Sequence, residues 1–250
     1  MSKPMIIFCD IDNTILNTEQ YLVDQYNEDF KENITLEDLT SWDYFSGKVS
    51  RDYIKNCLNN PKAWLNEIQP IQSICDMIKE LNSCPKCFTV YLVTATNPLM
   101  PVLREKLMLA QSITGIDKHR IITCNDKHLL QGHIMIDDYP KNINETTCHL
   151  CYLVDRPWNK NAYKELEEDY DITISPDDII YNLYEGTIEE RAQTRKRGLE
   201  LASEEYYVKE CDHTKGANLR LWWSGDILDV EDYRMKNKDW TYSNIHRLIP

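Results

Sequence analysis

The segment Met5-Ile6-Ile7-Phe8-Cys9-Asp10-Ile11-Asp12-Asn13-Thr14 decides the fold of this chain. Its first five residues are apolar and show no polar alternation, which is typical of a strand that is buried on both faces of a parallel sheet. Two carboxylates and a hydroxyl follow, where this strand would end. Because ligands of open parallel sheets lie beyond the carboxyl ends of the strands, Asp10 and Asp12 are the first candidate site residues.

Four further apolar runs predict the rest of the sheet. They are Phe88–Val93, Arg120–Cys124, His133–Ile136 and His149–Val154. Apolar residues with helical spacing lie between the runs: Ile71, Ile74, Cys75, Ile78 and Leu81 in one segment, and Leu99, Val102, Leu103, Leu107 and Ala110 in another. The pattern predicts an α/β fold, with a Rossmann-like parallel five-stranded sheet sandwiched by helices.

The connection between the first two strands is too long for a simple crossover. About 80 residues separate them, whereas parallel strands need a connection of only about a dozen residues or somewhat more. We therefore predict a small helical cap at residues 17–69, inserted after the first strand of a core that comprises residues 1–16 and 70–185. Helices are predicted in the cap at Tyr21–Phe30, Thr35–Trp42 and Arg51–Leu58.

Residues 186–250 are predicted to form an accessory extension that packs on the core. Its start, Thr187 to Lys209, has a helical pattern. The remainder is too aromatic to be freely disordered. Its large aromatic side chains include Trp222, Trp223, Trp240 and Tyr242. Three roles stay open for this extension: it caps the sheet, it extends a substrate site, or it forms the surface of a homodimer.

Charge and cysteine content bound the class of protein. The formal net charge of −13 repels phosphate polymers, so no polymeric nucleic acid is expected as a partner, although a cation can invert the field within one cleft. No apolar run approaches the ~20 residues of a membrane span, and no signal peptide is recognised. Nine cysteines, mostly within apolar runs, favour a reduced, cytoplasmic protein. No membrane partner is expected.

Polar residues with complementary chemistry follow the predicted strands. Thr94-Ala95 follows the second strand, Lys127 comes shortly after the third, and Asp137-Asp138 follows the fourth. Clustered carboxylates form the oxygen-rich site that Mg²⁺ prefers, and lysine and threonine are suitable donors to phosphoryl oxygens. One carboxylate can attack phosphorus while a second transfers protons. Each signal alone is common, but their joint occurrence in this order indicates phosphoryl transfer.

This set of motifs resembles the haloacid dehalogenase superfamily of phosphotransferases. The four superfamily motifs match Ile6–Thr14, Val90–Thr94, Lys127 and Ile134–Asp138. The short spacing from Lys127 to the Asp pair, the early helical cap and the Glu67–Pro70 stretch resemble the 5′(3′)-deoxyribonucleotidase family. The resemblance covers about Met5 to Tyr184. It implies a phosphoric monoester hydrolase that acts on a small-molecule phosphate monoester, with a nucleoside monophosphate as the leading candidate.

The resemblance also implies roles for the four aspartates. Asp10 would be the nucleophile, and Asp12 would be the general acid and base. Mg²⁺ would be held by the carboxylate of Asp10, the backbone carbonyl of Asp12 and the Asp137-Asp138 pair. Within that pair we expect Asp138 to be the direct ligand and Asp137 to support it.

The same resemblance implies a phosphate site and a base site. Thr94, the backbone at Ala95, and Lys127 would bind the phosphate group. Asn13 stands where many relatives carry glycine, and asparagine tolerates the left-handed backbone that such a position requires. In relatives, aromatic side chains of the cap stack on the base. The candidates here are Trp42, Tyr44, Phe45 and Trp64, with Trp42 favoured; packing within the cap is the alternative for each.

Two Cys-x-x-Cys pairs, Cys84 with Cys87 and Cys148 with Cys151, could together hold a structural zinc ion. The pairs are about 60 residues apart, which is unlike the spacing of zinc ribbons. In the sheet order that the resemblance implies, two strands separate them, a gap of ~14 Å. Free or buried thiols are therefore the preferred interpretation, and zinc is the alternative.

Other functions stay open beside the nucleotidase. A phosphatase for another small phosphometabolite, or for a polynucleotide end, would use the same chemistry. A catalytically silent binding protein would keep the fold and use the aromatic extension to bind a partner. A phospho-receiver module also combines an Asp, an acidic pair, a Thr and a Lys. Receivers carry the acidic pair first, however, whereas here the Asp10-Ile11-Asp12 motif comes first and the pair last.

Overall fold

The structure, a computed structural model, describes residues 4–95, 101–148, 150–162, 173–174 and 245–248. Leu99, His149, the helix predicted at Thr187 to Lys209 and the four aromatic residues of the extension lie outside this described part of the chain. Among the described residues, no helix is long and apolar enough to cross a membrane.

The strands of the described chain form one parallel sheet. They are β1 (Met5–Asp10), β2 (Phe88–Thr94), β3 (Ile121–Thr123), β4 (Ile134–Asp137), β5 (Leu150–Val154), β6 (Thr173–Ile174) and β7 (Ile245–Leu248). Their order in the sheet is β3-β2-β1-β4-β5-β7-β6, and each neighbouring pair runs parallel. The predicted α/β class and all five predicted strands are confirmed.

The sheet continues beyond the predicted five strands at one edge. β7 pairs with β5 from Cys151↔Ile245 to Val154↔Leu248, and β6 pairs with the outer side of β7. The prediction of a five-stranded sheet therefore falls short by these two strands. β6 has only two residues, and β7 carries His246 and Arg247 at its centre, so neither forms the uninterrupted apolar run by which the other strands were predicted.

Helices connect the strands. They are α1 (Thr18–Phe30), α2 (Arg51–Leu58), α3 (Gln72–Ser83), α4 (Leu103–Thr114) and α5 (Pro140–Glu145). Short helical turns add to them at Leu36–Asp38, Tyr44–Gly47, Ala63–Glu67, Lys118–Arg120, Lys127–Leu129 and Pro157–Asn159. The predictions of helix at Tyr21–Phe30 and Arg51–Leu58 are confirmed, whereas the prediction for Thr35–Trp42 is wrong.

In the segment Thr35–Trp42 a single 3₁₀ turn, Leu36–Asp38, replaces the predicted helix. The carboxylate of Asp38 accepts hydrogen bonds from the backbone N–H of Thr35 at 2.8 Å and from its hydroxyl at 2.9 Å, so the turn closes on itself. Leu39 then leaves helical geometry, with φ −78° and ψ 80°, and its side chain is buried. Burial of this one leucine directs the chain into the core and ends the helix after one turn.

Alternate residues of the central strands pack on opposite faces of the sheet, and both faces are covered. Ile7 and Cys9 of β1 share an apolar cluster with Ile74 of α3, whereas Phe8 belongs to a second cluster with Ile143 of α5. Two-sided burial explains why these strands consist of uninterrupted apolar residues. Each such side chain contributes about 1.5–3 kcal/mol when it is buried.

Residues 17–69 leave and rejoin the core at neighbouring points. The N–H of Asn17 donates to the carbonyl of Gln69 at 2.9 Å, and the N–H of Ile71 donates to the carbonyl of Ile15 at 2.9 Å. Trp42 from this segment packs on Tyr139, with ring centroids 4.5 Å apart. The inserted segment therefore lies against the carboxyl edge of the sheet, where β4 ends.

Candidate active site

Four buried charged residues meet at the carboxyl edge of the sheet: Asp10, Lys127, Asp137 and Asp138. The ammonium of Lys127 lies 2.5 Å from Oδ1 of Asp10 and 2.6 Å from Oδ2 of Asp137. Carboxylate oxygens of the three aspartates lie within 4.8 Å of one another. Of the residues that the structure describes, they are the only group of three or more His, Cys, Asp or Glu residues placed to hold a metal ion.

The strand register produces this cluster. β1 and β4 are neighbours with Cys9 opposite Ile136, so Asp10 and Asp137 follow at the same height on strands that lie about 4.8 Å apart. After Asp10 the chain turns sharply at Asn13, which has a left-handed φ of 56°. The expectation that asparagine takes this backbone conformation is confirmed. Its side-chain oxygen accepts the N–H of Glu19 at 2.8 Å, which fixes the turn.

The two members of the acidic pair have different surroundings. Asp137 is fully occupied, because its carboxylate accepts from Lys127, from the N–H of Tyr139 at 2.9 Å and from the amide of Asn142 at 3.0 and 3.1 Å. The carboxylate of Asp138 accepts one hydrogen bond among the described residues, from the indole of Trp158 at Oδ2. Its Oδ1 is buried and has no hydrogen-bond partner among the described atoms.

An unpartnered buried carboxylate oxygen is energetically costly, and it marks the place where a cation fits. Three carboxylates, with one oxygen left open, form a donor set suited to Mg²⁺, which prefers oxygen ligands and keeps some of its waters. The residues present therefore fit the metal that the sequence predicts. The geometry favours Asp138 as a direct ligand and Asp137 as the support that holds Lys127 and the following turn.

Burial and mutual repulsion set the charge of this cluster. Burial raises the pKa of Asp10 to about 7; Lys127 opposes the shift, while Asp137 and Asp12 add to it. Burial, followed by the charges of Asp137 and Asp10, raises the pKa of Asp138 well above its usual range. For Lys127, burial opposes the charge, but Asp10 and Asp137 outweigh it and raise its pKa. One ammonium among three carboxylates leaves an excess of negative charge that a divalent cation would offset.

We expect the metal-free protein to lose thermal stability as the pH rises from about 4 to about 7. Unfolded Asp10 releases its proton near pH 4, whereas the folded protein holds it until about pH 7. Between these values the folded state binds more protons, so a rising pH favours unfolding. Thermal unfolding in EDTA across this range measures the effect.

The matched control is Asp10→Asn, in which this slope should be flatter because the titrating group is gone. Added Mg²⁺ should restore more stability to the unmodified protein at pH 7 than at pH 5. An identical pH profile in both proteins would contradict the role given to Asp10.

Asp12 lies apart from this cluster, and its carboxylate has its own partners. It accepts from the hydroxyl of Thr18 at 3.1 Å and from that of Thr94 at 3.3 Å, and it forms an ion pair with Lys106. Burial opposes the charge of Asp12, but Lys106 and the hydroxyl of Thr18 outweigh it and lower its pKa. Asp10 and Asp12 are thus two residues apart in sequence but differ in environment: Asp10 shares Lys127 with Asp137, whereas Asp12 pairs with Lys106.

Sequence reasoning missed Lys106. It lies on the buried face of α4 with Ala110 and Thr114, and its ammonium lies 5.4 Å from the centroid of the Trp64 ring. A signal was present, because Lys106 takes an apolar position between Leu103 and Ala110 in the helical repeat. A charged residue at such a position needs a buried partner, and that partner is Asp12.

We expect Lys106→Met to lower kcat/KM by about 10- to 100-fold, because Asp12 loses the cation that holds its carboxylate in place. Steady-state kinetics at saturating Mg²⁺ measures the loss. The control is Lys79→Met, which removes a lysine from an exposed ion pair with Asp76 and should leave activity unchanged. Equal activity in the two variants would remove Lys106 from the account.

The predicted phosphate donors lie around the same edge. Thr94 is buried at the end of β2, and Ala95 follows it at the surface. Lys127 lies in the centre of the cluster rather than on its rim. A phosphate group bound between these residues would lie beside both Asp10 and Asp12.

The four cap aromatics separate into two groups. Trp42, Tyr44 and Phe45 line a cavity of about 190 Å³ that is formed mainly by the inserted segment, and Trp158 contributes to its wall from the core. Trp42 is 46% exposed, whereas Phe45 is buried. Trp64 does not line this cavity; it is buried and donates its indole N–H to the carbonyl of Leu58 at 2.7 Å.

The two Cys-x-x-Cys pairs do not form a zinc site in the described part of the chain. The metal-competent group found among the described residues contains aspartates alone. The first pair belongs to the apolar cluster on one face of the sheet and the second to the cluster on the other. Among the described residues these four cysteines are therefore not placed to share one metal ion, and free or buried thiols stay the preferred interpretation.

The model of one protein family matches residues 4–180 of this chain; it is described as "5' nucleotidase, deoxy (Pyrimidine), cytosolic type C protein". The chain belongs to this family. It is therefore a phosphoric monoester hydrolase of the haloacid dehalogenase superfamily. The recognised resemblance is confirmed at the level of superfamily and family.

Several known proteins are similar to this chain. A 5'(3')-deoxyribonucleotidase of Clostridium acetobutylicum is 29% identical over 148 residues, which cover 57% of this chain and 77% of that protein. Among solved structures, a haloacid dehalogenase-like protein of Streptococcus pneumoniae has a TM-score of 0.40 at 18% identity, covering 61% of this chain and 85% of that one. A haloacid dehalogenase family hydrolase of Deinococcus radiodurans, solved with bound phosphate and sodium, has a TM-score of 0.42 at 11% identity. This match covers 66% of this chain and 89% of that one.

Proposed function

We propose that this family member hydrolyses a deoxynucleoside or nucleoside monophosphate with the help of Mg²⁺ and through an aspartyl-phosphate on Asp10. The observation that supports this proposal is the division of labour at the strand ends. Asp10 lies in the carboxylate cluster with Lys127, while Asp12 lies outside the cluster with separate partners. A phosphatase with a covalent intermediate needs both kinds of carboxylate, side by side.

The metal would be held by the carboxylates of Asp10 and Asp138 and by the backbone carbonyl of Asp12, with Asp137 in support. When bound, it supplies charge neutralisation for the phosphate dianion and orients the transferred group. Without that charge, the carboxylate of Asp10 would have to approach an anion through repulsion.

The side chains of this protein carry out both chemical steps. In the first, an oxygen of Asp10 forms a bond to phosphorus as the bond from phosphorus to the nucleoside oxygen breaks, and Asp12 gives a proton to that leaving oxygen. In the second, Asp12 takes a proton from water, whose oxygen attacks phosphorus and displaces the Asp10 carboxylate. Inorganic phosphate leaves and both aspartates return to their starting states.

The phosphate group is held by the hydroxyl of Thr94, the backbone N–H at Ala95 and the ammonium of Lys127. Thr94 already donates to Asp12, so a phosphate held by Thr94 lies within reach of the proton-transfer group. Lys127 contacts Asp10, so its charge is available to the phosphoryl oxygens as they approach the nucleophile.

The cavity that the inserted segment forms together with Trp158 is the proposed site for the base and sugar. An exposed indole such as Trp42 presents a flat apolar face, and stacking of a base on an aromatic ring is worth about 1–3 kcal/mol. Tyr44 and Phe45 line the same cavity. Trp64 is the weakest of the four candidates because its ring is buried away from that space.

Phosphate release with Mg²⁺ tests the substrate class. The panel comprises 5′ and 3′ ribonucleoside and deoxyribonucleoside monophosphates, sugar phosphates and p-nitrophenyl phosphate. Selective turnover of deoxynucleotides supports the proposal in full. Turnover of sugar phosphates alone would retain the chemistry and move the substrate to another phosphometabolite, and no turnover of any ester would favour a silent binding protein.

We also propose the division of the chain that the sequence predicts. The paired ends of the 17–69 segment support its role as a cap on a core formed by residues 1–16 and 70–185. Parallel pairing of β7 with β5 supports packing of the 186–250 extension on that core. Free thiols accord with action in the cytoplasm, and they are present at Cys9, Cys57, Cys75, Cys84 and Cys124. A homodimer surface on the extension stays one of its three open roles.

A further inference from the structure

The 3₁₀ turn Pro157–Asn159, directly after β5, contacts both catalytic loops and the cap, although no sequence motif singled it out. We propose that Trp158 is a positioning residue that orients Asp138 for metal binding, and that the turn carrying it connects the metal site to the substrate cavity. This inference rests on the proposed function, because it takes Asp138 to be a metal ligand.

A hydrogen bond from Trp158 fixes one carboxylate oxygen of Asp138. The indole Nε1–H of Trp158 donates to Oδ2 of Asp138 at 3.1 Å. An indole N–H can donate but cannot accept or bind a cation, so it fixes one carboxylate oxygen without competing for the metal. Oδ1 of Asp138 is thereby left as the buried oxygen without a partner among the described atoms.

The same turn also fixes the backbone of Asp138. The amide of Asn159 donates to the carbonyl of Asp138 at 2.8 Å and to that of Val154 at 2.8 Å. Both Asn159 and Asp138 are about 99% buried, so these bonds are shielded from water. Side chain and main chain of the proposed ligand are therefore both held by two consecutive residues.

The turn also reaches the loop that carries Asp10 and Asp12. Arg156, just before it, donates from Nε to the carbonyl of Asn13 at 2.7 Å. Its own N–H donates to the side-chain oxygen of Asn159 at 3.0 Å. The loop after β1 and the acidic pair after β4 are thus held in register by one segment that contributes no carboxylate of its own to the cluster.

Trp158, which holds Asp138, also contacts the cap. The ring of Trp158 meets that of Trp42 edge to face, with centroids 6.0 Å apart and an interplanar angle of 75°. Trp158 also lines the cavity proposed for the base. A substrate that presses on Trp42 therefore acts on the side chain that holds Asp138, and metal and substrate affinity should be coupled in both directions.

Trp158→Phe separates positioning from packing, because phenylalanine keeps an aromatic ring and loses the N–H. We expect Mn²⁺ to bind this variant about 10- to 100-fold more weakly than the unmodified protein, the usual range for loss of a group that orients a metal ligand. Electron paramagnetic resonance titration without substrate measures this affinity directly. At saturating metal, kcat should recover most of its value.

The control is Tyr53→Phe, which likewise keeps an aromatic ring and removes one donor to a carboxylate, that of Asp29, and which should leave Mn²⁺ affinity unchanged. Unchanged affinity in Trp158→Phe, or an equal loss in both variants, would overturn the positioning role. Failure of the unmodified protein to bind Mn²⁺ at all would instead overturn the metal site of the proposed function.

A second pair of variants covers the case in which Trp158→Phe does not fold. Trp158→Gln places an amide N–H the same number of bonds from the backbone as the indole N–H, whereas Trp158→Met has similar length and no donor. Tighter Mn²⁺ binding by Trp158→Gln than by Trp158→Met supports the proposal. Equal binding by the two overturns it.

Discussion

Asp10→Asn is expected to lower kcat by on the order of 10⁴- to 10⁶-fold, the range seen when a catalytic nucleophile is removed. The amide keeps the shape of the side chain, but it is neutral and a poor nucleophile towards phosphorus. No other described carboxylate can replace it without loss, because Asp137 already accepts from Lys127, Tyr139 and Asn142. Phosphate release from the best substrate of the panel measures the effect.

The fold of this variant should be intact. Asp10→Asn removes one of three crowded carboxylates while Lys127 keeps Asp137 as its partner, so thermal unfolding should show a single transition near or above that of the unmodified protein in EDTA. Activity within tenfold of the unmodified enzyme, in a folded variant, would rule out covalent catalysis at Asp10.

Removal of the metal is expected to have the second largest effect. Treatment with EDTA should lower activity by on the order of 10³-fold or more, because a bound metal supplies several kcal/mol of charge stabilisation and each 1.36 kcal/mol is tenfold in rate. Three buried carboxylates form the cluster. Among the described residues, Lys127 and Arg156 are the cations whose charges act on Asp138.

Mg²⁺ added in excess of EDTA should restore the activity, and Asp138→Asn should raise the Mg²⁺ concentration that is needed. Asp76→Asn serves as the control, since Asp76 lies in an exposed pair with Lys79 and should leave the Mg²⁺ requirement as it is. A rate that EDTA leaves unchanged would contradict the metal role of the acidic pair.

The strands and the strand-end residues could be predicted because their signals are local. Because β1, β2 and β4 are buried on both faces of the sheet, their sequences are largely apolar runs. A parallel sheet brings the carboxyl ends of these strands to one edge. With Met5–Cys9 predicted as a strand, the placement of Asp10, Asp137 and Asp138 at one edge of the sheet follows from topology. The motif order then selected the superfamily.

Other parts of the site could not be predicted because they depend on contacts between distant residues. Lys106 pairs with Asp12 across 94 positions, and Arg156 reaches Asn13 across 143. In the sequence, Lys106 is one charge in a helix and Trp158 is one more aromatic residue. Only the folded chain shows that one fixes the proton-transfer group and the other contacts a proposed metal ligand.

The errors of secondary structure have similar causes. The Thr35–Trp42 segment has helix-forming residues, but the closed turn at Asp38 and the burial of Leu39 override that local preference. β6 and β7 are short and gain their stability from pairing at the sheet edge, so the sequence gives little sign of either.

The most direct test of the account is to trap the phosphorylated enzyme. Asp12→Asn should still allow attack by Asp10 on p-nitrophenyl phosphate, whose leaving group needs no proton, but it should slow the activation of water. Acid quenching followed by peptide mass spectrometry is expected to show one phosphoryl group on the peptide that contains Asp10, formed with an equivalent burst of p-nitrophenolate. Release of phosphate with no burst and no modified peptide, or phosphate on a different residue, would contradict the aspartyl-phosphate mechanism.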